Sequence, residues 1–231
     1  MHGGEARNMK TAIIVPVLNE SAVLSQKLGE LDLLRAMGAQ VLLVDGGSTD
    51  DTVAMARDAG FDVLSSGRGR ARQMNAGAHA SMGEILVFLH VDTRLPTYAL
   101  TSIENLLSEK IGWGRFDVRI VGVSPWLKVV GWMMNIRSRI TGIATGDQVL
   151  FMTRTLFVEV GGFPEQPLME DIEMCKRLKR ESSPICMREQ VETSGRRWDK
   201  NGVWRTILLM WRLRFAYWRG VPSSDLARLY R

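Results

Sequence analysis

Three short acidic segments stand where a sheet protein does its chemistry. Asp45 closes the apolar run Gln40–Asp45 (QVLLVD) and is followed by Gly46 and Gly47. Two glycines let a ligand approach the backbone, and the carboxylate can accept hydrogen bonds from a nucleobase N–H or a ribose hydroxyl. A plain turn and helix cap built on Thr49 and Asp50 accounts for the same residues. His90-Val91-Asp92 follows a second apolar run, Glu84–Leu89 (EILVFL). In extended chain His90 and Asp92 fall on one side. A carboxylate there can hold a hard divalent cation whose other positions take diphosphate oxygens, and the imidazole either joins it or only orients it. The competing reading is a buried structural histidine beside a capping aspartate. Glu170-Asp171 open a helix, where first-turn acids suit the helix dipole, or where one carboxylate takes a proton from an attacking hydroxyl.

A fourth segment, Gly67–Gly77 (GRGRARQMNAG), is a Gly/Arg loop entering a helix. Its backbone N–H groups and guanidinium forks suit a pyrophosphate, against the alternative of an ordinary basic helix start. It follows a third strand rather than a first, so it is no dinucleotide fingerprint, and no Walker loop occurs.

The elements that must carry these residues follow from periodicity. Thr11–Pro16 (TAIIVP) reads as a buried strand ended by a breaker. Val23, Leu24, Leu28, Leu31 and Leu34 recur at helical spacing. Gln40–Asp45 is a second strand, after which Ser48 or Thr49 is expected to cap a helix with Asp50 and Asp51 at its positive end. Phe61–Ser65 is a third strand, Arg70–Ala80 a helix and Glu84–Leu89 a fourth strand. Pro96 is expected in the first turn of a helix ending near Lys110. Alternating strands and helices imply an α/β fold with a mainly parallel central sheet flanked by helices. Ligands of such sheets sit beyond the strands' carboxyl ends, so Asp45 and Asp92 are expected at one crevice. Further on, Trp113–Ile120 reads as a strand, Trp126–Ile140 as an amphipathic helix, Gln148–Met152 as a strand, Thr153–Val160 and Glu170–Lys179 as helices, and Val203–Trp218 as the final helix.

Composition sets bounds. The 231 residues are 45% hydrophobic and 24% charged, ordinary for one globular domain. Thirty Lys and Arg against 25 Asp and Glu give a net charge of +5. The excess lies at the C-terminal end, where Arg188–Arg231 holds ten cations and four acids, suited to an anionic partner or a solvated face. Only Cys175 and Cys186 occur, which argues against a disulfide framework or zinc site and fits a reducing cytoplasm. Residues 1–8 lack the apolar stretch of a secretory signal and read as a disordered leader before Met9, and no apolar run reaches transmembrane length. Residues 9–195 read as the domain that carries the candidate residues and 196–231 as a basic, Trp/Arg-rich helical extension. The helices at Trp126–Ile140 and Val203–Trp218 are of a kind that can lie in a membrane interface. Simple packing is expected for the first, while the tail is open between packing and peripheral membrane contact.

In order along the chain, Val15–Glu20 (VPVLNE), Val44–Thr52 (VDGGSTDDT), Arg72–Gly77 (RQMNAG), His90-Val91-Asp92, Gly161-Gly162-Phe163 and Glu170-Asp171 resemble family-2 glycosyltransferases of the GT-A fold. The match is nearest a short bacterial subgroup with an H-x-D-T element and a G-D-Q segment, here Gly146-Asp147-Gln148. The resemblance implies that Pro16, Glu20 and Asp45 line a nucleoside pocket, with Arg72 near the donor. Asp92 would match the last aspartate of the metal-binding D-x-D, with His90 in place of the first. Asp171 would be the catalytic base, Glu170 its neighbour, and Gln148 a contact to donor sugar or acceptor. It further implies a nucleoside-diphosphate sugar (UDP first), manganese or magnesium, and inversion, while the Trp/Arg-rich helices add the expectation of a lipid-linked or envelope-glycan acceptor, handled in the cytoplasm at the inner membrane face. One rival, a nucleotidyltransferase, lacks its glycine-rich basic loop after the first strand. A basic membrane or nucleic-acid adaptor leaves the three acids without a shared role, and no nucleic-acid motif supports that partner.

Overall fold

The structure, a computed structural model, describes residues 10–108 and 111–230. The leader expected over residues 1–8 and the helix end expected at Lys110 lie outside the described residues. Strands β1 (Thr11–Val17), β2 (Gln40–Asp45), β3 (Asp62–Ser65) and β4 (Ile85–Phe88) pair in parallel. Right-handed crossovers are expected of such units, and here α1 (Ser21–Ala36), α2 (Thr52–Asp58) and α3 (Arg70–Ala80) supply them. The rest of the sheet comes from β5 (Thr93–Arg94), β6 (Trp113–Val121), β7 (Leu150–Thr153) and β8 (Ile185–Ser194). Strand order is β3-β2-β1-β4-β7-β6-β8-β5, with β7 antiparallel to both neighbours and β6 parallel to β8.

Burial on both faces explains why the strand sequences run continuously apolar. Ile13, Val15 and Val17 of β1 face a core shared with Leu24 and Leu31 of α1 and with Ile103 and Leu107 of α4 (Ala99–Leu107). Ala12 and Ile14 face the other way, onto Met74 and Ala78 of α3, Phe157 of α6 (Arg154–Glu159), and Met174 and Leu178 of α7 (Glu170–Glu181). Pro16 sits inside β1 without harm. β4 pairs only as far as Ile14, so the edge where Pro16 lacks an N–H has no partner strand. Beyond Ile14, then, β1 runs on without β4 beside it.

Several boundaries differ from the sequence reading. The helix after β2 begins at Thr52, and its first N–H is taken by the Asp50 carboxylate at 3.1 Å, while Thr49 donates its N–H to Asn19. The helix after Pro96 starts three residues late, at Ala99, whose N–H meets the Pro96 carbonyl at 2.9 Å. The strand expected at Gln148 starts at Leu150, because Gly146–Gln148 form a 3-10 turn and Val149 takes φ 51°. After α5 (Trp126–Thr141), α6 and α7 come α8 (Arg196–Asn201), α9 (Val203–Trp218) and α10 (Ser223–Tyr230), so α9 is not the last helix. β5 and β8 also went unanticipated: the first is two residues long, and the second carries Arg188-Glu189-Gln190 in mid-strand.

Two glycines test the packing in opposite directions. A Cβ on Gly77 of α3 would stand 2.5 Å from Ile14 and 2.8 Å from Val44, whereas one on Gly29 of α1 meets nothing within 4 Å. Gly77→Ala is expected to cost about 1–3 kcal/mol by overpacking. Gly29→Ala should gain about 0.5–1 kcal/mol by stiffening the unfolded chain. Thermal denaturation should move by about 2–4 °C per kcal/mol in those directions, and shifts of one sign for both would contradict this packing.

Candidate active site

At the carboxyl end of β2 the Asp45 side chain is buried, 6% exposed, and its carboxylate accepts the N–H groups of Gly47 and Ser48, each at 3.0 Å. Gly46 donates to the Val17 carbonyl, and the Gln73 amide donates to both Val17 and Val44 carbonyls at 2.8 Å. The ends of β1 and β2 are thereby clamped from beneath by α3. The two loops beyond them are laced together: Asn19 N–H to Ser48 Oγ, Thr49 N–H to Asn19 Oδ1, and Glu20 N–H to Thr52 Oγ1, all within 2.9 Å. Glu20 and Asp92 in turn share the guanidinium of Arg196, at 3.5 and 3.7 Å.

Next to this group lies a cleft lined by Arg70, Met74, Phe88, His90, Gly146, Leu150, Phe163, Glu170 and Asp171. Asp171 accepts the Gly146 N–H at 3.1 Å, which ties the start of α7 to the 3-10 turn. His90 Nδ1 faces Asp147 at 3.4 Å, and the other edge of its ring lies so close to Gly146 that a Cβ there would be 2.4 Å from Nε2. Glu170 is 5% exposed, with Arg70 at 3.6 Å as its cation. Burial, aided by the adjacent Asp171 charge, holds the Glu170 carboxyl above the usual range despite Arg70. For Asp147, burial works upward but is outweighed by the His90 hydrogen bond and the charges of His90, Arg70 and Arg197, so this carboxyl is held low.

Later elements complete the electrostatics. Arg137 of α5 is pushed down to about 10 by burial and by the like charge of Arg214, against the pull of Asp171. Arg214 of α9 is also lowered by burial while Asp171 and Asp147 oppose it. Arg197 stacks on the Tyr230 ring at 3.7 Å. Tyr217 lies between Gln166 and Glu173, each 3.4 Å from its hydroxyl. Leu213 and Leu226 pack with Met169 and Ile172 against the start of α7.

The three non-glycine residues with positive φ among the described residues are Asn19, Val149 and Met169. Each adjoins a candidate residue: Glu20, Gln148 and Glu170. For a β-branched side chain such as Val149 this conformation is costly, and such strain concentrates at functional sites.

Pro16, Glu20, Asp45, Asp92, Glu170 and Asp171 therefore stand along one edge of the sheet. Three of the expected residues stand in surroundings that the sequence pattern does not suggest. Gln148 is fully buried and donates to Ser138 Oγ at 2.9 Å, because the turn sends it inward and Asp147 toward the cleft. Arg72 pairs with Glu165 on the surface at 3.0 Å, and the guanidinium on the cleft is that of Arg70. His90 and Asp92 do not sit side by side, since the Thr93 N–H bonds the His90 carbonyl and makes the segment a turn. Among the described residues no three His, Cys, Asp or Glu side chains are grouped to cage a metal. Sequence reasoning missed Arg70, Asp147, Arg196, Arg137, Arg214 and Tyr230. Arg70 had a signal in the Gly67–Gly77 loop, Asp147 in the G-D-Q segment, and Arg196 and Arg214 in the basic C-terminal run.

The family model for glycosyl transferase family 2 matches residues 12–157, more than half of the chain. The chain belongs to glycosyl transferase family 2. No curated protein matches it by sequence. Among solved structures it is similar to the mannosyltransferase PcManGT from Pyrobaculum calidifontis in complex with GDP-Man and Mn2+, at 21% identity and TM-score 0.61, covering 90% of this chain and 61% of that one. It is also similar to S. aureus TarS 1-349 in complex with UDP-GlcNAc, at 19% identity and TM-score 0.61, covering 80% of this chain and 58% of that one. A third is glucosyl-3-phosphoglycerate synthase from Mycobacterium tuberculosis in complex with Mg2+ and UDP, at 18% identity and TM-score 0.59, covering 81% and 70%. The chain thus spans 58–70% of these structures' lengths. At such identities the likeness establishes the fold, and the mixed, mostly parallel sheet flanked by helices is the GT-A fold that the sequence pattern implied.

The raised Glu170 carboxyl has a measurable consequence. The native state binds that proton more tightly than the unfolded chain does. The group therefore favours the fold at low pH, and its contribution is lost as pH rises through the native pKa. Glu170→Gln should gain thermal stability relative to the wild type as pH is raised from the ordinary glutamate range to neutrality. A stability difference independent of pH would contradict the assignment.

Proposed function

We propose that this family-2 protein is an inverting glycosyltransferase that moves a sugar from a nucleoside-diphosphate sugar, UDP-linked first and GDP-linked second, to an acceptor hydroxyl. The observation that carries the reading is the convergence of Asp45, Glu20, Asp92 and Asp171 on one sheet edge, with guanidiniums interleaved among them. The nucleoside lies at the carboxyl ends of β1 and β2 beside Pro16, with Asp45 and Glu20 as acceptors for its N–H and hydroxyl groups. The diphosphate then lies toward Asp92, and the sugar enters the cleft between His90, Arg70 and Asp171.

Asp171 is the better base of the acidic pair. Glu170 is more deeply buried, held toward its neutral form and committed to Arg70, whereas Asp171 is half-buried on the cleft wall, where its oxygens accept the N–H groups of Gly146 and Ile172. Asp171 accepts the acceptor hydroxyl's proton as that oxygen attacks the anomeric carbon. The bond from that carbon to the diphosphate breaks on the opposite face, so one displacement inverts the centre. Glu170 orients Arg70 at the cleft.

A divalent cation, manganese or magnesium, fits at Asp92. That carboxylate keeps 24% exposure and only a 3.7 Å contact from Arg196, leaving lone pairs for a cation completed by donor oxygens. Such a cation offsets charge on the departing diphosphate. His90 orients Asp147 instead of joining it, since one nitrogen faces that carboxylate and the other faces Gly146. The acceptor in this proposal is lipid-linked or a nascent envelope glycan, met at the cytoplasmic face of a membrane. No helix among the described residues is long and apolar enough to cross one.

Asp171→Asn should lower turnover by about 10²–10⁴-fold while leaving donor binding intact, as read by the thermal shift that a tight nucleoside diphosphate produces with Mn2+. Full turnover in that variant removes Asp171 as the base. A panel of nucleoside diphosphates with and without Mn2+ in which none stabilises the wild type overturns the donor reading itself.

A further inference from the structure

Two helices of this protein each present three faces, and one of those faces is covered by nothing among the described residues. Along α9 the exposed side chains Trp204, Leu208, Trp211, Phe215 and Trp218 fall within about 80° of arc at roughly 100° per residue. The adjoining arc carries Arg205, Arg212 and, just past the helix end, Arg219. The remaining arc, with Val203, Thr206 and Leu213, is buried. α5 repeats the pattern. Leu127, Val130 and Ser138 face inward, Trp126, Trp132, Ile136 and Ile140 face out, and Lys128 and Arg139 border the outward stripe. Trp126 and Trp204 meet edge to face at 5.1 Å, which joins the two stripes into one surface. Val123, 91% exposed, stands in the loop leading into α5.

Neither α5 nor α9 contains a single Asp or Glu. A surface this apolar marks an interaction site, and its one-signed border names the partner's charge. A symmetric second copy would bring the arginine rows of α9 toward like charge. An anionic lipid surface neutralises them while the indole rings settle at headgroup depth. We propose that the joined outer faces of α5 and α9 dock the protein on an anionic bilayer, lying in its interface without crossing it. The opposite side of α9 supplies Leu213, Arg214 and Tyr217 to the start of α7. The docked helix is therefore the one whose back closes the cleft, which sets the acceptor side of the cleft next to the lipid. This goes beyond the donor assignment and stands apart from it, since one is read with lipids and the other with nucleotides.

Flotation with vesicles of phosphatidylcholine, alone or containing phosphatidylglycerol, tests it on the full chain. The wild type should float with the phosphatidylglycerol vesicles and stay behind with phosphatidylcholine alone. Trp211 and Trp218 are 60% and 77% exposed, so the paired change Trp211→Asp with Trp218→Asp should abolish flotation with the thermal midpoint kept. Replacing Arg205, Arg212 and Arg219 by Gln should weaken binding on the order of a hundredfold. Wild-type protein remaining with the soluble fraction overturns the proposal. So does equal flotation of the aspartate variant, or a dimer in sedimentation that this variant dissolves while the wild type ignores lipid.

Discussion

Buried carboxylates need cations, and in this protein the cations come from far along the chain. Glu170 is buried at the cleft with the half-buried Asp171 beside it, Asp147 lies partly exposed against His90, and an unpaired buried charge is costly. Arg70 arrives from α3, Arg137 from α5, Arg197 from α8 and Arg214 from α9. The first part of the sheet supplies Asp45 and Asp92, but the acids around the cleft meet their cations only once the C-terminal helices have folded back. The extension that composition alone set apart at residue 196 belongs to the site: Arg196 joins Glu20 to Asp92, and Arg197 holds Tyr230.

The same arrangement separates the two ends of the reaction. Asp45 is engaged by backbone N–H groups in a rigid turn, a receptor for uncharged hydrogen-bond donors. Asp171 is held by Gly146 at the mouth of a helix, on the wall of the cleft that Arg70 also lines. Between them His90 turns its ring so that Asp147 rather than Gln148 reaches the cleft. The strained backbone of Val149 is what sends one of these neighbours outward and the other into the core, where Ser138 receives it.

How much of this the sequence announces depends on how local the cause is. β1 and β2 are apolar runs with a breaker at or near their ends, so Asp45 follows from pattern, whereas β4 has no breaker between its end and Asp92. Arg70 and Arg72 illustrate the opposite case. Both sit on one helix two residues apart, and only packing decides that Arg70 shares the cleft with Met74 one turn on while Arg72 turns to Glu165. The turn at Gly146–Gln148 was hidden because a valine at positive φ violates the preference that sequence reasoning relies on. The turn through His90-Val91-Asp92 was hidden because an apolar strand gives no sign of where it stops. Contacts such as Arg196 with Glu20 span 176 positions, and no periodicity reports them.

Hydrogen exchange with and without a nucleoside diphosphate and Mn2+ reads the central claim most directly, because it maps where a donor touches the backbone. Protection concentrated at residues 16–20, 45–52, 90–93 and 195–197, with little change along α5 and the outer turns of α9, is the predicted pattern. Protection elsewhere with that edge unchanged would contradict a donor site at the carboxyl ends of β1, β2 and β4.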